Sequence, residues 1–292
     1  IPKKRKILKE NISINNINKN NIKNLNIDIP IGGLTVISGV SGSGKSSLVK
    51  YILKPAIDNY INNNITKTKQ YSNFNLSNKE IKEIEFVDQN PIGKSSRSNP
   101  STYLKIYDDI RKLYSNQKLS KIRKYKTGFF SFNIDGGRCE KCKGEGENTI
   151  EMQFMADVQI TCEECNGKRF KKEILDVKFN NKNISDILEL SINEAITFFK
   201  EHNEINIAKK IQPLQDVGLG YVKLGQSSST FSGGEAQRIK LAYFLSKGNT
   251  KVKTIFMFDE PTTGLHFHDI KKLLKSFNLL INNGHSIIVV EH

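Results

Sequence analysis

A chain that carries Gly39-Val40-Ser41-Gly42-Ser43-Gly44-Lys45-Ser46 has few architectures open to it, because this run is a complete G-x-x-x-x-G-K-[ST] loop. Residues 34–38 before it are strand-like and residues 47–53 after it are helix-like, which is the context that gives the motif meaning. The glycines let successive backbone N–H groups turn toward one anion, and the helix N-terminus adds the positive end of its dipole. Lys45 then reaches the β- and γ-phosphates, and the Ser46 hydroxyl holds Mg²⁺. Gly39, Ser41, Gly42, Ser43, Gly44 and Ser47 complete the candidate nucleotide-binding set. An accidental Gly/Ser-rich turn would lack both flanks.

The formal net charge of +15 over 292 residues favours a polyanion as partner, either nucleic acid or an anionic surface. No apolar stretch approaches the roughly 18–20 residues that a membrane span requires, so no membrane partner is expected. No signal peptide is visible, since residues 1–6 are basic and no apolar run follows them. Residues 2–6 match a nuclear-import pattern but read better as a solvated basic arm. The heavy use of Asn, Ile and Lys, densest in residues 11–26, has no functional pattern.

Four cysteines occur, Cys139, Cys142, Cys162 and Cys165, spaced C-x₂-C-x₁₉-C-x₂-C. Each pair can present two thiolates to one tetrahedral metal from a tight turn, and two such turns close the shell. Gly136-Gly137, Gly144, Gly146 and Gly167 permit those turns. Two disulfides are the alternative, and the strict pairing favours one structural Zn²⁺ per chain.

Residues 12–17 and 22–29 alternate as short strands, and Gly32-Gly33 turns the chain into the phosphate-loop strand. Residues 59–78 are polar and unpatterned, which predicts a surface loop. Residues 83–87 read as a strand that delivers Asp88 and Gln89. From 94 to 126 basic residues interleave with Tyr103, Tyr107, Tyr114 and Tyr125. That mixture suits phosphate contact with base stacking, and it equally suits two amphipathic helices, 103–114 and 118–125. Residues 149–155 predict one strand of a hairpin and 170–178 another strand. Residues 184–190, 192–201 and 205–217 have helical apolar spacing. Phe231-Ser232-Gly233-Gly234-Glu235 opens a further helix, 235–246. Residues 254–260 form an apolar strand ending in Asp259 and Glu260, and 286–290 form another ending in Glu291 and His292.

In this order these pieces resemble an ABC-type ATPase. The fold class expected is α/β, an ABC-type P-loop NTPase with a helical, zinc-containing insertion. The resemblance implies ATP and Mg²⁺ as cofactors, with Ser46, Asp259 and Gln89 on the metal. Glu260 positions the attacking water, and His292 and Gln89 are the switch and Q-loop residues. Residues 263–266 are the D-loop. Ser232, Gly233, Gly234 and Glu235 form the signature, which completes a site in trans. Little covalent chemistry is needed, since phosphoryl transfer rests on positioned donors and a metal.

The long insertion narrows the family. Residues 91–103, the Phe130-Ser131-Phe132-Asn133 approach to Gly136-Gly137-Arg138-Cys139, and residues 217–226 before the signature resemble UvrA, the damage-sensing ATPase of bacterial nucleotide excision repair. Only the second half of that family is covered, so a C-terminal fragment is expected. Its parts would be ABC core in 1–90, the basic and zinc-bearing insertion in 91–217, and ABC core again in 218–292. The resemblance implies a cytoplasmic protein. Its implied partners are damaged double-stranded DNA, the N-terminal ABC half, a second copy as a homodimer, and a UvrB-type excinuclease subunit. Lys94, Arg97, Arg111, Arg123, Lys124 and Arg138 are the candidate DNA contacts. Phe231 replaces the usual Leu before the signature, and Asp135 stands where the family tends to be basic. A UvrA-like paralogue in drug or toxin tolerance would keep every motif. An ABC transporter ATPase would have no use for the cysteines or the basic load, and a DnaJ-type zinc repeat would leave the phosphate loop unexplained.

Overall fold

The computed structural model describes residues 7–64, 68–93, 95–150, 152, 158–247 and 252–292. Its strands, in chain order, are β1 (Glu10–Lys19), β2 (Ile22–Ile31), β3 (Leu34–Ser38), β4 (Asn73–Leu76), β5 (Ile81–Val87), β6 (Glu147–Ile150), β7 (Val158–Thr161), β8 (Lys253–Asp259) and β9 (Ser286–Glu291). The architecture is mixed α/β and has two compact units. One holds the described residues of Ile1–Asn90 and Lys247–His292, the other those of Pro91–Ser246.

In the first unit a parallel sheet runs in the order β3-β9-β8-β5, and an antiparallel sheet in the order β2-β1-β4. β8 and β9 are near-continuous apolar runs because a parallel strand in mid-sheet is covered on both faces. Between the sheets lies the helix that follows the phosphate loop. Its first turns, Ser47–Leu53, are wide and π-type, and Lys54–Ile61 continues as α-helix. Leu48, Val49, Ile52, Leu53, Ala56 and Ile57 share one core with Ile12, Ile14 and Ile17 of β1 and with Ile255, Met257, Ile288 and Val290. The Phe267–Asn282 helix buries Leu273, Phe277 and Leu280 at helical spacing. It was not among the expectations, although its apolar period is clear.

The second unit is helical around an aromatic core. Tyr107, Tyr114, Phe130, Phe132 and Phe170 are buried. Tyr107 donates its hydroxyl to the Phe130 carbonyl and Tyr114 to that of Lys182, both at 2.7 Å. Capping boxes start Pro100–Tyr103 at Asn99, Ile184–Glu189 at Asn183, and Ile192–Glu201 at Ser191. The signature helix Gly233–Ser246 belongs to this unit and packs on Ile205–Asp216. The chain therefore returns to the first unit at Lys247. From sequence, the return to the core is expected at 218.

Three elements differ from expectation. Residues 73–76 are a strand pairing with β1 inside the supposed loop, a four-residue Asn-Phe-Asn-Leu alternation hidden by its polar flanks. The expected helix 103–114 is two, Pro100–Tyr103 and Tyr107–Ser115, because Lys105 turns left-handed at φ 57°. Residues 170–178 hold the short helix Lys172–Leu175, not a strand. The buried residues there, Phe170, Ile174 and Val177, stand at i, i+4 and i+7, a helical and not an alternating period. Residues 2–6, and 151 and 153–155 of the expected hairpin strand, lie outside the described residues. Among the described residues no helix is long and apolar enough to cross a membrane.

His285 is buried at the start of β9, where its Nδ1 accepts the Thr254 N–H at 3.2 Å and its ring meets Phe256. Burial holds its pKa below the ordinary 6.5, partly opposed by Glu83. The unfolded chain then binds more protons, so stability is full above about pH 6.5 and is lost as pH falls from there toward the folded-state value. Thermal melts should show a lower Tm at pH 5.5 than at pH 7.5, and His285→Phe should reduce that dependence.

Candidate functional site

The parallel strands of the first unit all point their carboxyl ends the same way, and ligands of open α/β sheets bind at that edge. β3 ends at the phosphate loop, β5 at Asp88 and Gln89, β8 at Asp259 and β9 at Glu291. A cavity of about 230 Å³ is lined by Ser41, Gly42, Gly44, Lys45, Ser46 and Ser47 together with Asn20, Asn21, Glu260 and His292. The Lys45 ammonium donates to the Gly39 carbonyl at 2.6 Å and the Val40 carbonyl at 3.0 Å, and Ser43 N–H closes the turn onto Val40 at 3.2 Å. Gly42 and Gly44 have φ of 76° and 99°, left-handed conformations that glycine adopts without a Cβ penalty.

Asn20 and Asn21 were missed from sequence. They form the tip of the β1–β2 hairpin, and Asn21 donates to the Gly42 carbonyl at 2.9 Å while Asn20 donates to Ser47 Oγ at 3.2 Å. Their one visible signal is an Asn-Asn turn pair between two alternating runs.

The acidic side of the site is crowded. Burial first, then the neighbouring Glu260 carboxylate, holds Asp259 above the usual carboxylate range, with Asp88 and Glu291 adding to the rise and Lys50 opposing it. A cation beside Asp259 would relieve this repulsion, and that is the charge Mg²⁺ would supply there. His292 Nε2 lies 2.8 Å from Glu260 Oε1, which joins two of the three candidate catalytic residues. Gln89 is exposed just past β5, and neither it nor Asp259 lines the cavity.

In the second unit the signature turn is already ordered. Glu235 Oε2 accepts Ser232 N–H at 2.9 Å and Ser232 Oγ–H at 3.1 Å, while Oε1 accepts the Tyr221 hydroxyl at 2.5 Å. These donors outweigh the burial of Glu235 and lower its pKa. Gly233 and Gly234 begin the helix itself.

The four cysteines converge. Their sulfurs all lie within 4.8 Å of one another, at 3.9 Å for Cys139–Cys162 and 3.6 Å for Cys142–Cys165. Zn–S bonds of about 2.3 Å in a tetrahedron would set the sulfurs about 3.8 Å apart, so the cluster fits zinc and leaves no position open for catalysis. These separations are far beyond a disulfide bond. Burial pushes Cys165 up to about 12. At Cys162 the burial penalty is outweighed by the Cys165 and Glu164 N–H groups, which bring the thiol down to about 7.

The candidate DNA contacts are placed less favourably. Arg97 pairs with Glu145 at 3.7 Å, Arg123 with Asp176 and Arg138 with Asp135 at 2.8 Å, and Arg111 with Asp108. Lys124 is exposed with no carboxylate partner among the described residues, and Lys94 lies outside them. Tyr107 and Tyr114 belong to the core, Tyr103 packs on Tyr243, and Tyr125 stacks on Phe129 at 5.0 Å. The amphipathic-helix reading describes these tyrosines better than base stacking does.

Gly144 has φ 85°, and a Cβ there would stand 2.1 Å from the Phe132 carbonyl oxygen. Gly144→Ala should cost about 1–3 kcal/mol through the backbone conformation alone. Metal held by the four thiols should then pass to a chelator measurably faster than in the unsubstituted protein.

No protein-family model matches the chain. It is 48% identical over 293 residues to UvrABC system protein A of Clostridium acetobutylicum, which covers 100% of this chain and 31% of that protein. Identity to UvrABC system protein A of Staphylococcus aureus is 49% over 281 residues, 96% of this chain and 29% of that one. The crystal structure of UvrA2 from Deinococcus radiodurans superposes with a TM-score of 0.90 at 40% identity, over 100% of this chain and 34% of that chain. The chain thus spans about a third of the length of the relatives it matches. Across its whole length, this sequence is similar to a part of UvrA.

Proposed function

We propose that this chain is an ABC module that binds Mg-ATP and hydrolyses it in the service of DNA-damage recognition in nucleotide excision repair. The observation that carries the ATPase reading is the cavity at the sheet's carboxyl edge, where the phosphate loop meets Glu260 and His292. In this reading Ser46, Asp259 and Gln89 serve Mg²⁺, and Glu260 orients water with His292 beside it. The four-thiol knuckle is a structural Zn²⁺ site, one per chain. Residues 1–90 and the chain after the insertion form the ATPase core. The partners are damaged duplex DNA, an N-terminal ABC half, a second copy and a UvrB-type subunit, all in the cytoplasm.

A module whose signature serves another module's nucleotide lacks the donors that close over its own. Loss of one such donor typically costs about 10²–10³ in rate. The chain alone should therefore bind Mg-ATP and turn it over slowly, and addition of an N-terminal ABC half should restore turnover. Glu260→Gln should keep ATP affinity and abolish turnover in the restored complex. Full, concentration-independent activity of the monomer would refute the shared site.

DNA binding should rest on phosphate contact and not on base edges. Lys118, Lys121, Lys124 and Lys126 are exposed and pair with no carboxylate among the described residues, whereas the described arginine candidates are paired. Each phosphate contact contributes about −0.9 to the slope of log K against log salt on duplex DNA. Lys124→Ala should flatten the slope by roughly one contact and Arg111→Ala should not. The opposite ranking would return the phosphate contact to the arginines.

A further inference from the structure

The end of β9 does more than deliver His292. Glu291 Oε1 accepts two bonds from Thr262, one from the backbone N–H at 3.0 Å and one from the hydroxyl at 2.7 Å. On one side of it the Val290 carbonyl accepts the Glu260 N–H at 2.9 Å. On the other side His292 Nε2 meets Glu260 Oε1 at 2.8 Å. Three successive residues of one strand end therefore hold the Glu260-Pro261-Thr262 exit of its neighbour.

Glu260 needs holding. Its φ is 49°, a left-handed conformation that costs a residue with a Cβ about 1–2 kcal/mol. Such a conformation persists only where the surroundings over-determine it. Pro261 has no N–H to contribute, so Thr262 is the first residue past Glu260 that can donate a backbone bond to β9. Within the turn itself, Thr263 N–H returns to the Glu260 carbonyl at 3.2 Å. Glu291 does not line the cavity.

We infer that Glu291 is a positioning residue, which through Thr262 fixes the left-handed turn that aims Glu260 at the phosphate cavity and toward His292. The inference rests on the reading of Glu260 as the group that orients water. The turn needs an acceptor oxygen and not a charge. A glutamine at 291 offers the same oxygen to both Thr262 donors, and an alanine offers none.

The test is steady-state ATP hydrolysis by the natural full-length protein. Glu291→Ala should lower kcat roughly ten- to a hundredfold, the scale of a misplaced catalytic group, with KM for Mg-ATP changed less than about twofold. Glu291→Gln should retain most of kcat. Undiminished kcat in Glu291→Ala, or equal impairment in Glu291→Gln, would overturn the inference. If Glu291→Ala does not fold, Thr262→Val decides, since it removes the hydroxyl bond alone, and an unchanged kcat there has the same meaning. Undiminished turnover in Glu260→Gln would instead remove the reading of Glu260 on which the inference depends.

Discussion

The first unit depends on one burial event, the insertion of the phosphate-loop helix between the two sheets. Leu48, Val49, Ile52 and Leu53 lose contact with water along one face of that helix, and full burial of such a side chain is worth about 1.5–3 kcal/mol. The loop that leads into the helix has no apolar anchor of its own. Its glycines and serines are exposed or half-buried, and their conformation is set by the strand before them and the helix after them. Because β3 and the helix share one core with β8 and β9, the loop, the acids after β8 and the histidine after β9 are fixed on one edge.

The second unit is held differently. Its knuckle contributes four buried cysteines that form a cluster of their own, apart from the tyrosine and phenylalanine core. So small a module has little apolar surface to bury, and metal ligation is the usual substitute, worth about 10–16 kcal/mol for a structural zinc. The backbone approaches itself so closely there that side chains are excluded. A Cβ on Gly137 would fall 1.8 Å from the Phe129 carbonyl oxygen, and one on Gly146 would fall 2.8 Å from that of Gly167. Arg169 closes the module from inside. Its guanidinium lies over the Phe132 ring and donates to the Gly225 carbonyl at 3.1 Å, and burial lowers its pKa.

Legibility from sequence followed the strength of local constraint. The phosphate loop, the acid-tipped strand and the four cysteines were readable because each demands particular residues at fixed spacing. The buried parallel strands were readable as unbroken apolar runs. What failed was short or set by tertiary contact. β4 has four residues and exists because β1 offers an edge to pair with. The break at Lys105 is a single left-handed residue in an otherwise helical pattern. Asn20, Asn21, Thr262 and Glu291 act through partners distant in sequence, and no spacing rule marks them. The tyrosines misled for another reason, since their interleaving with lysine and arginine follows from an amphipathic helix as well as from a stacking surface.

The same logic separates the basic residues by kind. An arginine fork can bond a carboxylate and a carbonyl at once, and several here do. Arg123 reaches Asp176 and the Glu173 carbonyl, and Arg138 reaches Asp135 and the carbonyls of Asn133 and Lys143. Asp135, which seems from sequence to reverse the local charge, is the partner that holds Arg138 in place beside Cys139. Lysine is a strongly hydrated point charge on a flexible stem, and the lysines of 118–126 stay in water. Among the described residues of 118–126, the basic groups that pair with no carboxylate are therefore ammonium groups. Contacts from such groups neutralise phosphates without reading bases.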